Sequence, residues 1–142
     1  MSAKQQLYTD FLKKEGFVPE VQESGEIRFK IQGEIFVISP AEDDPNYFKV
    51  SYYHSWDPSQ TEQVWPILNL LNVKFKVVKV AALNDVICLT TETFLKDPAD
   101  FESLFARCIN IIGAAKAQLA IALSQRAASA ATTPETATPT EA

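Results

Sequence analysis

A strict two-residue alternation, closed by a glycine turn and answered by a second apolar run, is the strongest constraint in this 142-residue chain. Ile27, Phe29 and Ile31 alternate with Arg28, Lys30 and Gln32. Successive side chains of a strand point to opposite faces, so this segment buries one face and wets the other. Ser24-Gly25 turns the chain in; Gln32-Gly33 or Gly33-Glu34 turns it out, into Ile35-Phe36-Val37-Ile38. The spacing predicts an antiparallel hairpin. Its second arm, apolar throughout, is expected to be a central strand covered on both faces.

The flanking segments extend this sheet. Residues 17–22 form a short strand that Pro19 confines to an edge or bulged position. Residues 47–53 set Phe48, Val50 and Tyr52 against Tyr47, Lys49, Ser51 and Tyr53. Residues 73–80 and 86–91 add two strands joined through Asn84-Asp85, with Lys74, Lys76 and Lys79 alternating on a solvated strand face.

Three helices complete the pattern. In residues 3–15, Leu7, Tyr8, Phe11 and Leu12 recur at helical spacing, while Lys4, Gln5, Asp10, Lys13 and Lys14 fall on the wet side. Gly16 suits a left-handed helix stop. Asp57-Pro58 opens a second helix with Val64, Ile67, Leu68 and Leu71 on its buried stripe. Pro66 requires that helix either to kink or to begin later, because proline removes a backbone donor. Asp97-Pro98-Ala99-Asp100 repeats the start signal before a long last helix, whose stripe runs from Phe101 through Phe105, Cys108 and Ile112 to Ala122. From Ser124 the composition turns to Ala, Thr, Pro, Ser and Glu, which cannot bury enough apolar surface to offset ordering entropy. The expectation is one α+β domain over 1–123 and a disordered tail over 124–142, in the order α-β-β-β-β-α-β-β-α.

Charge narrows the partners. A net charge of −5 repels phosphate backbones and anionic lipid, so neither nucleic acid nor a membrane is an expected partner. The polar N-terminus lacks a signal-peptide core, and no run approaches a membrane span, which points to the cytoplasm. Cys88 and Cys108, far apart in apolar surroundings, read as reduced core residues.

Catalytic chemistry is not signalled. The one histidine, His54, has Ser51, Ser55 and Asp57 nearby, but a nucleophilic triad draws its members from separate segments in fixed geometry. Glu42-Asp43-Asp44 lacks the spaced ligand ladder of a calcium loop, and the four glycines are dispersed rather than clustered around a phosphate. No enzyme, metal or cofactor is expected. Aromatic surface remains: Tyr47, Tyr53, Trp56 and Trp65 cannot all face the core if Phe48, Val50 and Tyr52 do, and tyrosine and tryptophan are enriched at protein interfaces. These four are the candidate partner-binding residues.

Two stretches carry a family resemblance. One is Phe11-Leu12-Lys13-Lys14-Glu15-Gly16-Phe17 followed by Ile27-Arg28-Phe29-Lys30-Ile31-Gln32-Gly33; the other is Leu68-Asn69-Leu70-Leu71-Asn72, then Lys74-Phe75-Lys76-Val77 and Asp85-Val86-Ile87-Cys88-Leu89. Together they resemble the bacterial YbjN-like family, whose fold is similar to that of type III secretion chaperones, with Asn69 and Asn72 as paired motif positions. The resemblance implies a twisted antiparallel sheet flanked by helices, a homodimer, and a regulatory or chaperone-like role in which a protein client is held. It transfers no catalytic residues. The alternative expectation is a regulatory domain that binds a small apolar ligand between the sheet and the last helix, with the asparagines as polar contacts or as helix caps.

Overall fold

The computed structural model describes residues 1–132. The chain forms α1 (Ala3–Lys14), β1 (Glu20–Val21), β2 (Ile27–Ile31), β3 (Glu34–Ser39), β4 (Tyr47–Ser55), α2 (Thr61–Lys74), β5 (Val78–Leu83), β6 (Val86–Phe94) and α3 (Phe101–Thr132). This is the expected element order. The six strands make one antiparallel sheet in the order β1-β2-β3-β4-β6-β5.

Local chemistry fixes the turns and starts. Gln32 and Gly33 both take positive φ, 52° and 83°, the mirror-image turn whose twist suits a two-residue hairpin. Ser2 caps α1 in a capping box with Gln5. Asp97 accepts from the Ala99 N–H and opens a short 3-10 turn, Pro98–Asp100, that runs into α3. A second 3-10 turn, Pro58–Gln60, precedes α2, so the α-helix begins later than Asp57-Pro58 suggested and Pro66 lies inside it.

All three helices cover one face of the sheet. Ile27, Phe29, Phe36, Ile38, Phe48, Val50, Tyr52, Val78, Val80, Ile87 and Leu89 project to that side, where they meet Tyr8, Leu12, Leu68, Leu71, Phe101, Phe105, Ile112 and Leu119. Edge-to-face rings lock the corner: Tyr8 and Phe11 lie 4.8 and 5.0 Å from Phe101, and Phe11 lies 5.1 Å from Phe105. By length and composition α3 could also cross a membrane, yet its apolar stripe is packed against the sheet.

Several expectations change. Among the described residues, helices cover β3 on one face only: Phe36 and Ile38 enter the core, while on the other face Val37 is 3% and Ile35 42% exposed. The apolar run reflects its central position in the sheet rather than two covering layers. Residues 73 and 74 belong to α2 and strand β5 begins at Val78, so Lys74, Lys76 and Lys79 lie on a helix, a loop and a strand, not along one strand face. Lys4 is buried rather than on the wet side, because its Nζ donates to the carbonyls of Asp44 (3.0 Å) and Tyr47 (2.8 Å). α3 continues to Thr132, which places the expected boundary at 123/124 inside a helix; the rest of the expected tail, 133–142, lies outside the described residues.

Candidate binding site

Among the described residues, no helix lies across the second face of the sheet. Strand register sets its rows. Arg28, Val37, Ser51, Thr90 and Lys79 form one; Lys30, Ile35, Tyr53, Cys88 and Ala81 form the next; Ser55, Val86 and Leu83 lie beyond. On the other side come Ser39, Lys49 and Glu92, then Tyr47 and Phe94. At the centre, Ser51 Oγ and Thr90 Oγ1 are 2.9 Å apart and Cys88 Sγ and Thr90 Oγ1 are 3.0 Å apart, a hydrogen-bonded ladder across β4 and β6. Cys88 is therefore a buried free thiol on the side of the sheet away from the helices. Around the ladder, Ile35, Leu83 and Phe94 stand 42, 48 and 79% exposed. A depression of about 540 Å³, lined by Phe17, Val18, Arg28, Lys30 and Ile35 among others, opens toward β1.

The four aromatic candidates do not form one patch. Tyr53 sits half-buried in the middle of the open face, and burial pushes its hydroxyl pKa up. Tyr47 lies at the end of the same face, its ring 6.0 Å from Phe94 and its hydroxyl donating to Glu92. Glu92 also pairs with Lys79, and these two contacts hold its carboxyl below the usual range. Desolvation first, and the Glu92 hydrogen bond second, push Tyr47 up to about 12. Trp56 packs against the core on the helix side, with its indole nitrogen buried and unpartnered. Trp65 projects from α2, 53% exposed, on the far side of the molecule's helical layer from Tyr53.

Asn72 plays a part that neither the capping nor the ligand reading anticipated. From inside α2 its amide donates to Val80 O (2.9 Å) and accepts from Val80 N (2.8 Å), while also donating to Leu68 O (3.0 Å). It thus mimics a neighbouring strand on the outer edge of β5 and satisfies the outward main-chain groups there. Asn69 is exposed.

A groove lies between α3 and the β5–β6 end of the sheet. It encloses about 330 Å³ and is lined by Leu104, Arg107, Cys108 and Ile111 of the helix, by Thr91, Glu92 and Thr93, and by Lys76 and Val77. Leu104, Cys108 and Ile111 recur at helical spacing, which brings them to one face of α3. Cys108 is half-buried in this wall.

The residues that suggested nucleophilic chemistry do not converge. Ser51 turns to the open face and bonds Thr90, His54 turns to the opposite face, and Asp57 accepts from the Ser59 N–H. In the acidic loop, Glu42 accepts from Ser2 and Asp44 from the Asn46 N–H.

The arrangement is an α+β fold of YbjN-like type. No family model matches the chain, and no curated protein matches it. Solved structures share the fold, two of them as follows. YbjN of E. coli superposes with a TM-score of 0.66 at 13% identity, covering 85% of this chain and 92% of its own. An uncharacterised protein from Methanothermobacter thermautotrophicus superposes with a TM-score of 0.64 at 18% identity, covering 87% of this chain and 98% of its own.

Proposed function

We propose that this chain is a non-enzymatic binding module, cytoplasmic and homodimeric, that holds a protein partner on the open face of its sheet in a chaperone-like, adaptor or regulatory role. The observation that carries the reading is the face of the sheet that no described helix crosses, its centre buried and its borders exposed. Ile35, Tyr53, Val86 and Leu83 put apolar surface beside the satisfied polar ladder, flanked by Arg28, Lys30, Lys49 and Lys79. An amphipathic surface with a dry polar centre and cationic borders suits an apolar partner segment with acidic flanks. Strand addition is less favoured: Asn72 occupies the β5 edge at Val80, and β1 is only two residues long. The fold is shared with YbjN, described as a candidate transcription regulator, and a regulatory role through protein contacts is consistent with that description.

Affinity capture of the tagged full chain from its native host tests the reading, with Tyr53→Ala/Ile35→Ser and Trp65→Ala as parallel variants. The expected result is a stoichiometric partner lost with the sheet-face pair and kept with Trp65→Ala, together with a dimer mass by light scattering. Capture that survives the sheet-face pair rules out this face, and a monomer at every concentration removes the dimer.

A second reading is favoured by the groove beneath α3. A small apolar ligand would lie between sheet and last helix, along Leu104, Cys108 and Ile111.

A further inference from the structure

The groove between α3 and the sheet carries more chemical information than an apolar cleft alone. Its walls, Leu104, Cys108, Ile111 and Val77, are apolar, but two cations, Lys76 and Arg107, stand among its lining residues. Neither forms an ion pair among the described residues, where the ion pairs are Lys79–Glu92 and Lys116–Glu34. The carboxylate of Glu92, also at the groove, is already engaged by Lys79 and by the Tyr47 hydroxyl. Two positive charges therefore face an apolar slot without an anion to neutralise them.

Two further features belong to the same place. The Oγ1 of Thr91, a lining residue 1% exposed, is buried without a hydrogen-bond partner. Most buried hydroxyls are satisfied, and an exception marks a local cost to the fold. Val77 at the rim has φ 69°, a left-handed conformation that a β-branched residue adopts only when its surroundings force it. An orphan hydroxyl and a strained rim residue coincide with the unpaired cations.

We infer that this groove binds a medium-chain amphipathic carboxylate, its hydrocarbon chain along Leu104, Cys108 and Ile111 and its carboxylate held by Lys76 and Arg107. The inference rests on the apolar-ligand reading and adds the charge of the head group. A volume of about 330 Å³ lies at the small end of the range for ligand pockets, which suits a single unbranched chain rather than a fused-ring ligand. Carboxylate matches the recognition chemistry, since a guanidinium and an ammonium both donate charge-assisted hydrogen bonds to it.

Calorimetric titration of the full chain with decanoate, decanol and decyltrimethylammonium, each below its micelle-forming concentration, tests this. Decanoate is expected to bind one per chain, about tenfold tighter than decanol, with the cationic amphiphile weakest. A Lys76→Gln/Arg107→Gln double variant, at exposed positions that leave the core intact, is expected to reduce decanoate to the affinity of decanol. Cys108→Trp, which fills the slot, is expected to abolish both, with an unchanged circular dichroism spectrum. Equal binding of decanoate and decanol overturns the anionic assignment and leaves the apolar-ligand reading standing. Failure of both to bind the parent chain overturns the two together.

Discussion

Thr91 and Tyr8 each bury a hydroxyl that finds no partner, and each sits against core residues. Burying such a group without a bond forfeits its hydration, so its removal is neutral or favourable when shape is kept. Thr91→Val is expected to raise stability by about 1 kcal/mol, checked by urea unfolding, with the midpoint shifted and the slope unchanged. A loss of stability would mean that the hydroxyl is satisfied in solution. Lys4 shows the opposite solution. It is buried, burial lowers its pKa, and the charge of Asp44 works against that shift while two main-chain carbonyls accept hydrogen bonds from its ammonium. Nothing in helical periodicity reveals this, since position 4 falls on the wet side of the wheel; only the acidic loop brought across by the sheet makes a buried ammonium tolerable.

At the scale of elements, α2 is tied to the sheet by one side chain. Asn72 closes the edge of β5 with a reciprocal pair of hydrogen bonds, so a helix residue does the work of a seventh strand. Asn72→Ala is expected to cost about 1–2 kcal/mol in chemical denaturation and to speed hydrogen exchange at the Val80 amide selectively. An unchanged Val80 exchange rate would show that the pair does not persist. α3 is tied differently. Lys116 bridges to Glu34 of β3 at 2.6 Å and lies 5.2 Å over the ring of Tyr52, so the helix crosses the sheet with a charged as well as an apolar anchor. The paired asparagines were visible in the sequence as a pattern, but the strand partner of Asn72, Val80, lies eight residues on, beyond the reach of local capping rules.

For the whole molecule, ionisation defines a stability window. Hydrogen bonding from Lys116, then Tyr52, holds Glu34 below its usual 4.5, and Lys79, then Tyr47, does the same for Glu92. Their contribution is present above pH 4.5 and is lost as the pH falls through the depressed folded values. Burial, then the charge of Glu42, pushes Tyr8 up from 10.0 to about 12, and Tyr47 rises as far. A neutral phenol favoured in the fold contributes below pH 10 and is lost as the pH rises toward 12. Thermal melts are expected to fall on both sides of a broad plateau, with Glu34→Gln flattening the acid limb. An acid limb of unchanged slope in that variant would show that the Lys116 contact contributes little.

The sequence by itself determined what depends on neighbours along the chain. Alternation in 27–31 and 47–53 fixed which side chains share a face, Gln32-Gly33 supplied the hairpin turn, and Asp97-Pro98 set the start of the last helix. These follow from side-chain period and backbone sterics, which act over a few residues. Tertiary structure alone decided which face the helices cover. The pleat assigns Ile35 and Phe36 to opposite sides but does not say which side receives a second layer, and that choice left Tyr53 half-buried on the face without helices and set Trp56 against the core. It alone made a groove from Thr91, Cys108, Lys76 and Arg107, residues from three separate segments. Contacts of that kind are set by the summed packing of the whole core, and no local pattern encodes them.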